Sequence, residues 1–221
     1  MTEGLRQKVR AIAATGMAQD SAHDLAHLDR VWANAQAIAA GEGGADMDVL
    51  CAAAYLHDLV NLPKDAPDRA QASTLSARAA GPHLQTLGFD AQRIAAAQHA
   101  IAAHSFSAGI APETPEACIL RDADRLDALG AIGIARAFAV SGALDRALYD
   151  PGDPFAATRA PDDQSFALDH WPAKLLRLPD GMTTATGRRL ARARIATMLR
   201  FARDLADEIG HAPDGWSGAG V

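Results

Sequence analysis

The chain has 221 residues, 49% of them hydrophobic but only 5% aromatic, with a formal net charge of -6 and two cysteines. That length suffices for one substantial core without requiring a second domain, and the acidic balance leaves no basic footprint for duplex nucleic acid. A small anionic substrate would need a local cluster of cations or a metal ion to overcome it.

Alanine-rich sequence with few β-branched runs favours helix over sheet. Apolar residues recur at helical spacing almost throughout, predicting helices over about 3–17, 21–40, 47–60, 66–88, 90–104, 114–142, 165–178 and 184–210. An all-α fold in a single domain over 1–221 is therefore expected. The N-terminus, MTEGLRQKVR, is polar and lacks the apolar centre of a signal peptide. Arg136 interrupts the longest apolar run, so no membrane span is expected and a cytoplasmic location is.

In the second helix Ser21 suits an N-cap, and GEGG at 41–44 provides a stop. Its opening, SAHDLAHLDRV, carries His23 and His27 four residues apart, hence on one face. Ala26, Val31 and Ile38 lie among its apolar positions, so the helix should pack inward while carrying two histidines. The third helix contains AAAYLHDLV, which places His57 and Asp58 side by side in an apolar segment. Cys51 and Cys118 sit in apolar helical contexts and read as buried thiols rather than a disulfide. The fifth helix ends at His104; His99 lies about 140° away around the axis, so the two should not act together.

Thr114-Pro115-Glu116 has the cap-then-proline order of a helix start. The helix it opens carries Asp122, Asp124 and Asp127 on a segment otherwise suited to burial. Carboxylates repelling one another there imply a cation nearby. The Pro-, Gly- and Asp-rich segment over 149–164 reads as a surface loop, and no strand shows the alternation of a half-buried sheet.

A buried His–Asp pair can simply satisfy itself by hydrogen bonding inside a core. A buried carboxylate is nevertheless costly without a strong partner. His27, His57, Asp58 and one aspartate near 124 together form a mixed N/O donor set for a divalent metal. Neighbours on a helix diverge by about 100°, so His57 and Asp58 could share an ion only at the helix edge. Asp122 and Asp124 point about 200° apart, so both cannot face one ion.

The order H…HD…D on helical segments resembles the HD-domain superfamily of metal-dependent phosphohydrolases. Five blocks in order are similar to its YedJ/YpgQ-type branch: SAHDLAHLDRV, AAAYLHDLVNLPKD, AIAAHSFS, RDADRLDALGAIGIARAF and KLLRLPDGMTTATGRRLARAR. The resemblance covers about residues 18–210. It implies one divalent metal (Mn, Fe, Ni, Co, Zn or Mg) held by His27, His57, Asp58 and Asp124. The family wording A-D-x-L, matched by Ala123-Asp124-Arg125-Leu126, selects Asp124. Asp127 would stand behind the ligands; His23 could be a ligand by spacing, but a helix-stabilising place or one behind the ligands is preferred.

The resemblance also implies that Asp58 orients the attacking water. Lys64, His104 and Lys174 are candidates for phosphate contact, and His104 also for an acid. Arg125 and Arg136 flank the aspartate segment and read equally well as partners of nearby carboxylates. Some family members carry an acidic group soon after the HD pair; here Leu59, Val60 and Asn61 follow, and Asp65 is the first carboxylate. The general base is thus open. The implied reaction cleaves a nucleoside triphosphate to monophosphate and pyrophosphate. A nucleotide monophosphatase, a nucleotide-sensing module without catalysis and a di-iron oxygenase are the alternatives, and self-association stays open.

Overall fold

The computed structural model describes residues 3–16, 24–62, 68–213 and 216. Helices dominate, and among the described residues the one β-type pairing is an isolated bridge between Ala147 and Phe166. No single helix there is long and apolar enough to cross a membrane. The chain divides into two compact units: residues up to Asp124 with Thr183–Thr186, and Arg125–Met182 with Gly187 onward.

The first unit is built around α3 (Met47–Leu56), where every residue from Val49 to Leu56 is buried. The Asp46 side chain caps its start by accepting from the Asp48 and Val49 amides at 2.9 and 3.1 Å. Against it pack α1 (Glu3–Gly16), α2 (Leu25–Glu42) and α5 (Ala91–His104), with α4 (Ala72–Thr86) lying along α5. Asp29 joins three of these helices: it accepts from Tyr55 at 2.7 Å and from Arg10 at 3.0 Å, while Arg6 reaches Tyr55 at 2.9 Å.

Several boundaries differ from the expected ones. The N-cap of α2 is Asp24, whose carboxylate accepts from the His27 amide at 2.7 Å; Ser21 lies outside the described residues. The inward face of α2 is His27, Leu28, Val31, Trp32, Asn34, Ala35, Ile38 and Ala39, and Ala26 is exposed. The GEGG stop holds, with Gly43 as C-cap at φ 72°.

Helix α3 ends at Leu56 rather than near 60. The His57 ring takes the Ala54 carbonyl that a continuing helix would use. Ser76 of α4 then binds both the amide and the carbonyl of Val60, at 3.0 and 3.3 Å.

The segment expected as one helix over 114–142 is two. Thr114 caps α6 (Pro115–Leu126), accepting from the Ala117 amide at 3.2 Å. A turn then closes through Ala128 to Arg125 and Leu129 to Leu126. Gly130 has φ +72°, and a Cβ on Gly133 would sit 2.2 Å from the Ala128 carbonyl oxygen. Glycines at both positions let α7 (Gly130–Ala143) start against that turn.

Asp122 anchors the return of the chain to the first unit. Its buried carboxylate accepts from the amides and hydroxyls of Thr183 and Thr184 over 2.7–3.1 Å. Glu42 receives the Thr186 amide at 2.6 Å.

The second unit holds α7, α8 (His170–Ala173), a 3-10 stretch over Leu175–Gly181, and α9 (Ala185–Ile209) from Gly187 on. The helix expected over 165–178 is instead turns over 165–169, the single-turn α8 and the start of the 3-10 stretch. Its core is aromatic: Trp171 lies 5.7 Å from Trp216 and 5.8 Å from Phe201, ring to ring. The 149–164 loop is pinned by buried Asp169, which pairs with Arg159 and accepts the Asp162 amide at 2.7 Å.

Cys51 is buried, and burial pushes its thiol up to about 12. Cys118, also free, is half-buried rather than buried.

Candidate metal centre

Four helix ends meet in the first unit. His27 lies in the first turn of α2, His57 is the C-cap of α3, His104 is the last residue of α5, and Asp124 lies in the last turn of α6. Asp58 occupies the turn after α3. It is not a helical neighbour of His57, so the 100° divergence that argued against their sharing one ion does not apply.

The side-chain atoms converge closely. His57 Nε2 stands 3.3 Å from Asp58 Oδ2 and 3.9 Å from Asp124 Oδ1. His27 Nε2 is 3.7 Å from the same Asp58 oxygen and 3.5 Å from the same Asp124 oxygen. The other Asp58 oxygen faces His104 Nε2 at 3.8 Å. Two overlapping triads, His27–His57–Asp124 and His57–Asp58–His104, each gather ligand atoms within 4.8 Å of one another.

The tautomers follow from the backbone. His57 Nδ1 donates to the Ala54 carbonyl at 2.9 Å, and His104 Nδ1 to the Ile101 carbonyl at 2.6 Å. A carbonyl only accepts, so each neutral ring turns the lone pair of Nε2 toward the carboxylates. His57 Nε2 is buried and makes no hydrogen bond. A lone pair set against carboxylate oxygens is repulsive unless a cation or a proton lies between them.

The protonation preferences express that demand. Burial pushes His57 down, but the Asp58 and Asp124 carboxylates outweigh it and lift the imidazole to about 9. His104 is held below its ordinary value by burial and by its neighbour His57. The donor set fits a divalent ion. Ligands on opposite sides of an ion bound at about 2.1 Å stand about 4.2 Å apart, so small side-chain motions would close either triad. The Asp124 side chain is 30% exposed, leaving one side of the cluster open to solvent.

The remaining expected residues are placed as follows. Asp122 and Asp124 do diverge, the first to the Thr183–Thr184 segment and the second to the histidines. Asp127 is buried against Arg136 at 2.7 Å in the second unit. Arg125 donates to the Gly181 carbonyl. His99 is turned to the Glu113 amide at 3.0 Å. Lys174 is exposed at the C-cap of α8 in the second unit. Lys64, His23 and Asp65 lie outside the described residues.

Sequence spacing gave no sign that His104 joins the ligand cluster rather than standing only on its phosphate side. The signal available was its place at a helix end, where a ring can cap its own i-3 carbonyl.

Bacillus subtilis (strain 168) YpgQ, an uncharacterized protein, is 36% identical over 195 residues, which cover 86% of this chain and 86% of YpgQ. The HD domain profile matches residues 24–129, the stretch that carries all five clustered side chains. The chain belongs to the HD-domain family. Among solved structures, this HD-domain chain superposes on B. subtilis YpgQ in complex with ADP with a TM-score of 0.72 and 33% identity, covering 93% of this chain and 95% of that one. It also matches an HD-superfamily hydrolase from Bacillus thuringiensis, with a TM-score of 0.73, 29% identity and coverage of 95% and 99%. The HD residues are His57, buried at the C-cap of α3, and Asp58, half-buried in the turn that follows.

Proposed function

We propose that this HD-domain protein is a metal-dependent phosphohydrolase that cleaves nucleoside triphosphates to monophosphate and pyrophosphate. The observation that carries the reading is the convergence of His27, His57, Asp58 and Asp124 at contact distance, with imidazole lone pairs set against carboxylates. These four would hold one divalent ion, with His104 at the margin. Such an ion supplies Lewis-acid polarisation of a phosphoryl group and a more acidic water.

The protein's own groups supply the rest. The backbone carbonyls of Ala54 and Ile101 fix the His57 and His104 tautomers, so neither ring must reorient during turnover. Asp58, with one oxygen toward His57 and the other toward His104, can orient a water between them. His104 Nε2 can accept a proton from that water. In this reading His104 would serve first as a base, compensating for the lack of a carboxylate directly after the HD pair, and its expected role as an acid stays open. The nucleotide class is supported by the ADP complex of the YpgQ relative.

Incubating metal-reconstituted protein with a nucleotide panel in heavy-oxygen water tests the proposal. Label in the monophosphate supports attack at the α-phosphate. Label confined to inorganic phosphate or pyrophosphate contradicts it, and absence of hydrolysis with every metal removes the enzyme reading.

A further inference from the structure

Among the described residues, Asn34 is a buried polar side chain to which the metal reading gives no role. Asn34 is buried on α2, and its Nδ2 donates to the Ala123 carbonyl of α6 at 3.0 Å. Ala123 immediately precedes Asp124. We propose that Asn34 is a positioning residue that sets the register between α2 and α6, and thereby the approach of His27 to Asp124. The inference rests on the metal reading above and deepens it.

The geometry argues for this role in two ways. Asn34 follows His27 by seven residues, two helical turns, so both project from one face of α2. One face thus presents a candidate ligand and, about 10 Å along the axis, a fixed contact to the helix that carries another. On α6, the last four carbonyls have no partner within the helix. Those of Arg125 and Leu126 are taken by the amides of Ala128 and Leu129 in the following turn. The Ala123 carbonyl also receives the Asn34 side chain, from outside the helix.

Apolar contacts alone tolerate sliding of one helix past another, whereas a directional bond to one carbonyl does not. The His27–Asp124 separation of 3.5 Å is the distance that such sliding would change. The start of α2 is fixed at the same point, because Asp24 caps the helix through the His27 amide itself.

The test compares full-length Asn34→Leu with Ile38→Ala, which removes a fully buried side chain from the same helix and leaves the Asn34 bond intact. Mn2+ affinity is measured by calorimetry, and the ligand geometry by the visible spectrum of the Co2+-loaded protein. Asn34→Leu should weaken Mn2+ binding about 10–100-fold, the range typical of groups that orient ligands, and alter the Co2+ spectrum. Ile38→Ala should lower thermal stability while leaving both readouts near wild type. Asn34→Gln, which keeps an amide donor, should recover part of the affinity.

Equal losses in Asn34→Leu and Ile38→Ala, or no loss in Asn34→Leu, overturn the proposal. Should Asn34→Leu not fold, Asn34→Ser is read in its place by the same criteria. A wild type that takes up no divalent ion overturns the metal reading itself. A wild type that binds Mn2+, loses it on His27→Ala and keeps it on Asn34→Leu overturns this inference alone.

Discussion

Asp122 and Asp124, two residues apart on α6, should respond to substitution in opposite ways. Asp122 is fully buried and accepts from four donors of Thr183 and Thr184. Replacing it with alanine strands the buried Thr184 amide, which costs about 1–3 kcal/mol. The Thr183 amide can reach water, and its lost bond adds about 1 kcal/mol. The expected loss is therefore about 2–4 kcal/mol, a large share of the 5–15 kcal/mol typical of a domain. That corresponds to a fall in Tm of roughly 5–15 °C for a chain of this size.

Asp124 is 30% exposed and faces the histidines. Asp124→Asn should change the stability of metal-free protein by less than about 1 kcal/mol, yet sharply weaken Mn2+ uptake. Urea unfolding in EDTA, followed by calorimetric Mn2+ titration at a temperature where both variants are folded, separates the two effects. An Asp122→Ala protein that is stable but loses metal, beside an unstable Asp124→Asn that keeps it, would refute the assignment of the two faces.

Asp58→Ala should abolish nucleotide hydrolysis and weaken Mn2+ binding while preserving the helical circular dichroism spectrum; full activity with unchanged metal content would exclude the assigned site. In metal-free protein His57 is raised to about 9, so its stabilisation is complete below the unfolded value of about 6.5 and fades as pH rises toward 9, by up to about 3 kcal/mol. Urea midpoints in EDTA should fall across that window, and saturating Mn2+ should flatten the slope. His104, held low, acts in the opposite sense and costs stability only as pH drops below about 6.5. Gly133→Ala forces a Cβ to 2.2 Å from the Ala128 carbonyl oxygen; thermal melts should show a destabilisation of about 1–3 kcal/mol, and an unchanged Tm would mean that the turn relaxes freely.

Helical periodicity was legible in the sequence because the apolar face of an amphipathic helix repeats every 3.6 residues. Most helices fall within a few residues of their expected spans. The larger errors came where a tertiary bond overrode local propensity. Ser76 and the His57 ring end α3 four residues early, and a glycine-permitted turn divides the 114–142 segment. The candidate ligands were legible as residue types in a known order. Their convergence was implied by the family resemblance and not by spacing, since it depends on His57 and Asp58 leaving the helix. Asn34 was invisible for a related reason: a lone asparagine on an inward face carries no signal until the helix opposite it is known.

The meeting of helix ends at the cluster has an electrostatic consequence. Three C-terminal ends (α3, α5 and α6) and one N-terminal end (α2) contribute a net of roughly one negative charge through their backbone dipoles. Asp58 and Asp124 add two more when ionised. The bare cluster is therefore net negative even with His57 protonated, and a divalent ion would cancel most of that charge. On the proposed function, a nucleotide would therefore enter more readily after the ion, or together with it as one complex, than alone. Chelation would then do more than halt chemistry. On the proposed function it would also leave the cluster's negative charge to repel a free polyphosphate.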